Sequence, residues 1–142
     1  MFTLHERLLE DTRDIIPLAV SRVLLMNDSS FPWLILVPER AGVREMYDLG
    51  QEDRAIFIEE ISLASEIIQQ LFAPDKINIG ALGNLVPQLH MHVVGRFRND
   101  RAWPGPVWGS GPAIPYAEKE LDTVCGRIQK AFQQRVSAHV RL

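Results

Sequence analysis

The chain has 142 residues, of which 46% are hydrophobic and 23% are charged, a composition typical of a globular protein with a buried core. Its net charge of -3 and isoelectric point near 5.8 provide no basic excess for binding nucleic acid or an anionic membrane. Cys125 is the only cysteine, which excludes an intramolecular disulfide and a cysteine-based zinc cluster. This length and composition predict a single domain over residues 1–142. No apolar run is long enough to span a membrane and no secretory signal is recognisable, so we expect a soluble cytoplasmic protein.

The first part of the chain predicts one helix followed by strands. From Thr3 to about Asp14, apolar residues recur at helical spacing after a Ser/Thr-x-x-Glu capping box. Residues 15–26 are rich in Ile, Val and Leu but contain a proline, which favours two short strands or one bent edge strand. A polar turn at 27–30 and a strand at 33–37 are expected next.

The middle of the chain predicts a long helix and a pair of strands. Asp48 or Gln51 is expected to cap the helix, whose apolar stripe includes residues from Ile61 to Phe72. Residues 77–82 and 88–97 predict two strands joined by a turn. After a loop, an amphipathic helix is expected near the C-terminus. Strands interrupted by single helices predict an antiparallel sheet with helices packed against it, which is an α+β fold.

The segment 83–96, Gly-Asn-Leu-Val-Pro-Gln-Leu-His-Met-His-Val-Val-Gly-Arg, places three polar residues at alternate positions. In a strand, Gln88, His90 and His92 share one face, and the intervening Leu, Met and Val share the other, where they can pack beneath a helix. Neighbours in such a row are about 7 Å apart. Two imidazoles at this spacing can act on one phosphate, as nucleophile and proton donor, or bind a metal ion.

A pair of histidines at this spacing is, in an arbitrary protein, more often strand surface without chemistry. A metal site would need further ligands, and the remaining histidines, His5 and His139, could complete it only if both termini fold onto that face of the sheet.

The segment from Gly83 to Val94 resembles the signature of the histidine triad (HIT) superfamily, in which three histidines alternate with hydrophobic residues. The polar turn, the strand ending in Val37-Pro38, the long helix and the next strand follow in the order seen in that family. This resemblance implies a HIT-like antiparallel sheet of about five strands with helices against it. It also implies homodimers and hydrolysis or transfer of a nucleotide through a nucleotidyl-histidine intermediate. No cofactor is required, although a divalent cation can assist.

The resemblance assigns roles to individual residues. His90 matches the nucleophile, and His92 matches the histidine that contacts phosphate oxygens and the leaving group. Gln88 stands at the position of the first histidine and can orient groups by hydrogen bonds, but it cannot titrate. Trp33 stands near a position where many relatives have a fourth histidine. The residues expected to bind the nucleotide are Asn27, Asp28, Asn78 and Asn84; plain turn chemistry is the alternative for Asn27 and Asp28.

Two features beside the motif have open interpretations. In the loop 99–115, Trp103 and Trp108 either close over a substrate or a second subunit, or belong to a packed surface loop. Three arginines follow the motif, and they either attract phosphate or form a solvated face at the end of the strand: Arg96, Arg98 and Arg101.

Three functions remain open from the sequence. The first is a hydrolase of a nucleoside phosphoanhydride or phosphoramidate, with dinucleoside polyphosphates such as diadenosine tetraphosphate as candidate substrates. The second is a nucleotide-binding or sensing protein whose catalysis is weakened by Gln88 and Trp33. The third is a metal-binding protein that uses His90 and His92.

Overall fold

The computed structural model describes residues 1–140, with side chains described up to residue 137. A 3₁₀ turn at Met46–Asp48 accompanies three helices and five strands in these residues. In chain order the elements are α1 (Glu6–Asp11), β1 (Thr12–Pro17), β2 (Ser21–Met26), β3 (Trp33–Pro38), α2 (Gln51–Phe72), β4 (Lys76–Gly80), β5 (Met91–Arg96) and α3 (Glu118–Val140).

The strands form one sheet with the order β1-β2-β3-β5-β4, and every neighbouring pair is antiparallel. This arrangement confirms the predicted α+β fold and its five-stranded antiparallel sheet. No helix in the described part of the chain is long and apolar enough to cross a membrane.

The central strand β3 separates two apolar clusters, because successive side chains in a strand point to opposite faces. Leu34 and Leu36 pack with the buried stripes of α2 and α3. Trp33, Ile35 and Val37 pack on the other face, with the loop residues around them and with α1. The long helices therefore cover one face of the sheet, and the other face is left to short segments that can form a site.

The first helix begins later than predicted. It starts at Glu6, and His5 is its N-cap, with Nδ1 accepting a hydrogen bond from the backbone N–H of Arg7 at 3.1 Å. Thr3 lies outside the helix because Gln88 bonds the backbone on both sides of residue 4. The predicted capping box and the extension to Asp14 are therefore wrong.

The long helix α2 is confirmed, but its predicted caps are not. Its N-cap is Gly50, which forms no side-chain cap, and Gln51 is already helical. Asp48 accepts hydrogen bonds from two backbone N–H groups before it, within the 3₁₀ turn. At the other end Ala73 adopts a left-handed conformation with φ of 47°, and a proline follows.

The segment 15–26 forms two strands, β1 and β2, and the strand pair β4–β5 is confirmed with shorter bounds. Strand β5 begins at Met91 rather than at Gln88. Just before it, the N–H of Leu89 bonds the carbonyl of Val43, outside the sheet. The histidine motif therefore spans the end of a loop and the start of a strand.

Candidate active site

The alternation of the motif is confirmed in the packing of β5 and the residues before it. Leu89, Met91 and Val93 belong to the core beneath α2. His90 and His92 lie on the opposite side, and each is only 7% exposed. Their ring centroids are 4.9 Å apart with an interplanar angle of 68°, close enough for both rings to contact one phosphate group.

The ring of His90 is oriented by its own backbone. Its Nδ1 is 2.7 Å from the carbonyl oxygen of Gln88. A carbonyl only accepts hydrogen bonds, so Nδ1 carries the proton, and the lone pair of the neutral ring is on Nε2. Among the residues that the structure describes, none bonds Nε2. The nitrogen that can act as a nucleophile is therefore available.

The ring of His92 has the opposite arrangement. The indole N–H of Trp33 donates to Nδ1 of His92 at 2.9 Å, and an indole can only donate. In the neutral ring the proton is therefore on Nε2. Burial, and after it the positive charge that His90 can carry, lowers the pKa of His92 to about 4, so His92 is neutral at pH 7. One imidazole thus offers a lone pair, and its neighbour offers an N–H.

Both histidines line a cavity of about 450 Å³, a volume within the usual range for small-molecule sites. Its walls come from α1, β2, β3 and the segment before β5. The other lining residues are Arg7, Leu8, Asp11, Thr12, Met26, Trp33, Ile35, Leu82, Gly83, Asn84, Leu85, Val86 and Trp108.

A second cavity, of about 500 Å³, lies between the β1–β2 turn, α2 and α3. Its lining includes three carboxylates, of Glu59, Glu60 and Glu66, against one arginine, Arg135, and no histidine. The buried Glu60 accepts hydrogen bonds from the backbone of Val20 and Ser21 and is part of the fold. Because carboxylates repel anions, the smaller cavity is the better candidate for a phosphate ester.

The loop after β5 closes one side of the histidine cavity. The ring of Trp108 lies 5.4 Å from that of His92 and packs against Gly80 of β4. A Cβ at residue 80 would be 2.9 Å from the indole, so only glycine permits this approach. The indole nitrogen of Trp108 is buried and has no hydrogen-bond partner in the described residues. Trp103 lies elsewhere, 6.0 Å from the guanidinium of Arg96.

Comparisons with known proteins identify the family. The family model of the HIT domain matches residues 11–99. A histidine triad protein from Marinobacter aquaeolei VT8 is 47% identical, with a TM-score of 0.91, and the match covers 94% of this chain and 98% of that one. The chain belongs to the HIT family. A HIT protein from Sinorhizobium meliloti 1021 is 46% identical, with a TM-score of 0.89 and coverage of 92% and 96%.

A more distant structure shares the fold alone. The diadenosine triphosphate hydrolase of Plasmodium falciparum is 15% identical to this chain, with a TM-score of 0.66, and the match covers 92% of this chain and 80% of that one. A search of curated proteins finds no match.

Gln88, predicted to stand at the position of the first histidine of the motif, has its side chain bonded to the N-terminal segment. Its side-chain oxygen accepts from the backbone N–H of His5, and its amide donates to the carbonyl of Thr3, both at 2.8 Å. It thereby holds the segment that leads into α1, which supplies Arg7 and Leu8 to the cavity wall. A direct catalytic role for Gln88 stays a prediction.

Asn27 and Asp28, predicted to bind ribose, do not line the cavity. Asn27 accepts a hydrogen bond from the N–H of Tyr116 at 3.0 Å. Asp28 is 1% exposed and pairs with Arg101 at 3.2 Å. Both side chains tie the turn after β2 to the long loop, so their assignment to the nucleotide stays a prediction. Burial is the largest cause that raises the pKa of Tyr116 to about 12, and Asp28 contributes.

The other two residues predicted to bind the nucleotide differ in their position relative to the cavity. Asn84 lines the histidine cavity. Asn78 lies on the same sheet face but accepts a hydrogen bond from Arg96 at 2.8 Å, outside the cavity. Of the four predicted residues, Asn84 is the one that lines the cavity of His90, and the assignment of all four to the nucleotide stays a prediction.

The helix α1 contributes to this site, which the sequence does not predict. Arg7 and Asp11 line the cavity and lie one helical turn apart, with 3.9 Å between their charged groups. Their spacing indicates a shared helix face, but only the bonds of Gln88 reveal where that face points. In the described residues there is no group of three His, Cys, Asp or Glu side chains that could hold a metal ion. His5 caps α1, and His139 lies outside the described side chains.

Proposed function

We propose that this HIT protein binds a nucleotide and hydrolyses its phosphoanhydride or phosphoramidate bond through a nucleotidyl-histidine intermediate. The observation that carries the proposal is the opposite hydrogen bonding of the two imidazoles in one cavity. His90 offers an unprotonated nitrogen, and His92 offers a protonated one. This is the pair of groups that nucleophilic attack on phosphorus requires.

In the first step, the lone pair on Nε2 of His90 attacks the α-phosphorus. A P–N bond forms, the bond to the leaving group breaks, and the leaving group takes the electron pair. The ring becomes positively charged, and its Nδ1–H donates to the carbonyl of Gln88, which stabilises that charge. The N–H of His92 stabilises negative charge on a phosphate oxygen. Water then attacks the phosphorus, and the P–N bond breaks to release the nucleoside monophosphate.

The rest of the cavity suits a nucleotide. Apolar side chains of Leu8, Met26 and Ile35 can contact a base, and the amide of Asn84 can contact phosphate or sugar. Arg7 is the only cationic residue among the described lining residues and can attract a phosphate chain. The hydrolase from Plasmodium falciparum bears the name of a dinucleoside polyphosphate substrate. We propose this class as the first to test.

The test is intact-protein mass spectrometry after rapid quenching without acid, on wild type and His90→Ala. Diadenosine tetraphosphate and an adenylyl phosphoramidate are supplied, with EDTA or with Mg²⁺, and products are assayed in parallel. We expect an adenylyl adduct and AMP from wild type and neither from His90→Ala. The matched control is His5→Asn, which removes an imidazole outside the cavity and keeps a capping side chain. An adduct on His90→Ala would contradict the proposal.

The second candidate is a nucleotide-binding protein without turnover. It is favoured by the side chain of Gln88, which holds the N-terminal segment and not the nucleophile. This candidate predicts that wild type and His90→Ala bind nucleotide equally by calorimetry and that neither releases a product. The same samples therefore separate the two functions.

We also propose that the chain forms a homodimer through the edge of the sheet at β4. This strand pairs only with β5 in the described chain, so its outer edge is free to pair. Apolar side chains near that edge are exposed: Ile79 at 51%, Leu82 at 48% and Leu85 at 77%. Light scattering tests the proposal: a dimer mass is expected for wild type, and a monomer mass for Ile79→Lys. A monomeric wild type would contradict it.

A further inference from the structure

The indole of Trp33 is the only group in the described structure that bonds the ring of His92. We propose that Trp33 fixes His92 as a neutral Nε2–H donor and so restricts this protein to leaving groups that depart as anions, phosphates rather than amines. This inference rests on the proposed function. It names the substrate class within that function and makes Trp33 a positioning residue that acts through His92.

The geometry explains why His92 stays neutral. An imidazolium has an N–H on both nitrogens, and protonation of Nδ1 would set it against the indole N–H, which is 2.9 Å away. Both side chains are only 7% exposed, so water cannot replace the lost bond. Burial also lowers the pKa of His92 and so favours the same neutral form of the ring.

No neighbouring charge reverses this preference. The titratable and charged side chains that line the same cavity are His90, Arg7 and Asp11. His90 and Arg7 carry or can carry positive charge, which disfavours a second cation. Asp11 would favour one, but its carboxylate is 3.9 Å from the guanidinium of Arg7 and is half exposed. The remaining ring against His92, Trp108, carries no charge.

A neutral His92 treats the two leaving-group classes differently. When a phosphoanhydride is cleaved, the bridging P–O bond breaks and the departing phosphate keeps the electron pair as a stable anion. A hydrogen bond from Nε2–H of His92 is sufficient for this step. When a phosphoramidate is cleaved, the P–N bond breaks and the nitrogen must gain a proton to leave as an amine. A neutral imidazole is a very weak acid, so it cannot supply that proton at a useful rate.

The hydrogen bond can be tested without turnover. The full chain labelled with ¹⁵N at histidine is analysed by long-range ¹H–¹⁵N correlation from pH 7 down to pH 4. We expect His92 to be the Nε2–H tautomer in wild type, and we expect Trp33→Phe, which keeps an aromatic ring but removes the N–H, to mix the tautomers and to raise the pKa of His92. Trp108→Phe is the matched control, because that indole also touches His92 but does not bond it, and the tautomer should not change. A proton on Nδ1 in wild type, or an unchanged tautomer in Trp33→Phe, would overturn the inference.

The leaving-group restriction is tested with two substrates that share the adenylyl group, diadenosine tetraphosphate and an adenylyl alkylamine phosphoramidate. We expect wild type to favour the anhydride by roughly 100-fold or more in kcat/KM, because general acid catalysis typically contributes a factor of this size and a neutral His92 cannot provide it for the amine. In Trp33→Phe the preference should narrow by roughly tenfold, and the phosphoramidate rate should gain an acidic limb in its pH profile.

Similar kcat/KM values for the two substrates in wild type would overturn the restriction and leave the proposed hydrolase intact. No turnover of either substrate would overturn the hydrolase and the restriction together, and the tautomer measurement would still decide whether Trp33 fixes His92.

Discussion

Buried polar side chains lie around the start of β5 and at its C-terminal end, and the two ends differ in how fully their side-chain nitrogens are hydrogen-bonded. At the C-terminal end, Arg96 is 1% exposed, and all three guanidinium nitrogens donate hydrogen bonds, to Asp100 and Asn78. At the other end, His90 and His92 each bond through Nδ1 alone. A saturated cluster holds structure together, whereas a buried ring with a free nitrogen at a cavity is suited to chemistry.

Asp100 shows what saturation does to a buried charge. Burial alone would raise the pKa of its carboxyl group, but Arg96 and three backbone N–H groups donate to it. The net effect holds the pKa of Asp100 well below its usual range. The prediction that Arg96 attracts phosphate or forms a solvated face is wrong for this reason, since the guanidinium is already fully paired.

The largest loss of stability is expected from breaking the saturated end. Asp100→Asn keeps the shape of the side chain, but its NH₂ group then faces N–H groups that had donated to the carboxylate. Arg96 is left as a buried charge without a counter-charge. We expect the free energy of unfolding to fall by roughly 3–5 kcal/mol in urea denaturation. Asp122→Asn is the matched control, because Asp122 is 63% exposed and its partner Arg13 is 42% exposed, so solvent screens the pair and its loss should change stability little. Equal losses in the two variants would contradict a structural role for the buried pair.

At the histidine end, the stability of the fold should depend on pH through His92. The pKa of His92 is about 4 in the folded chain and 6.5 ordinarily, so below pH 6.5 the unfolded chain takes up a proton that the folded chain does not. The contribution of His92 to the free energy of unfolding should therefore fall by about 3 kcal/mol between pH 6.5 and pH 4. His92→Gln keeps an acceptor for Trp33 but does not titrate. Urea titrations that stay parallel for wild type and this variant would show that His92 does not cause the loss.

The contrast between the two ends also marks how far sequence reasoning reaches. The alternation around His90 and the stripe of α2 predict faces correctly, because period-2 and period-3.6 patterns are properties of a single segment. The bond from Trp33 to His92 joins positions 59 residues apart, and the pair of Asp28 with Arg101 joins positions 73 apart. No local pattern encodes such partners, so the tautomer of His92 and the placement of Asp28 required the fold.

The start of α1 illustrates the same limit at a helix end. A capping box at Thr3 is a sound local expectation. The side chain of Gln88, 85 residues away, instead bonds the carbonyl of Thr3 and, with its oxygen, the N–H of His5. A tertiary contact therefore overrides the local signal and moves the cap to His5. The same contact occupies both polar atoms of the Gln88 side chain in this structure.

A smaller effect is expected from releasing that segment. Gln88→Ala removes both hydrogen bonds and should lower the free energy of opening of residues 3–11 by roughly 2 kcal/mol, measured as faster amide exchange there. Because α1 forms a cavity wall, we expect KM to rise several-fold with little change in kcat. Gln70→Ala, an exposed change on α2, is the control and should alter neither. A fall in kcat at constant KM would indicate that Gln88 acts on the nucleophile after all.

The smallest expected effects on stability come from two glycine-to-alanine substitutions, one at a close contact beside the site and one on an exposed helix surface. Gly80→Ala brings a Cβ within 2.9 Å of the Trp108 ring, which must shift, so we expect a loss of about 1 kcal/mol and altered tryptophan fluorescence. Gly126→Ala, on an exposed turn of α3 with no atom within 4 Å of the new Cβ, should instead stabilise the fold by roughly 0.5–1 kcal/mol. Opposite signs in thermal denaturation are therefore expected for the same chemical change. If Gly80→Ala were also stabilising, Trp108 would not be held against β4, and the wall that it gives the histidine cavity would be a mobile one.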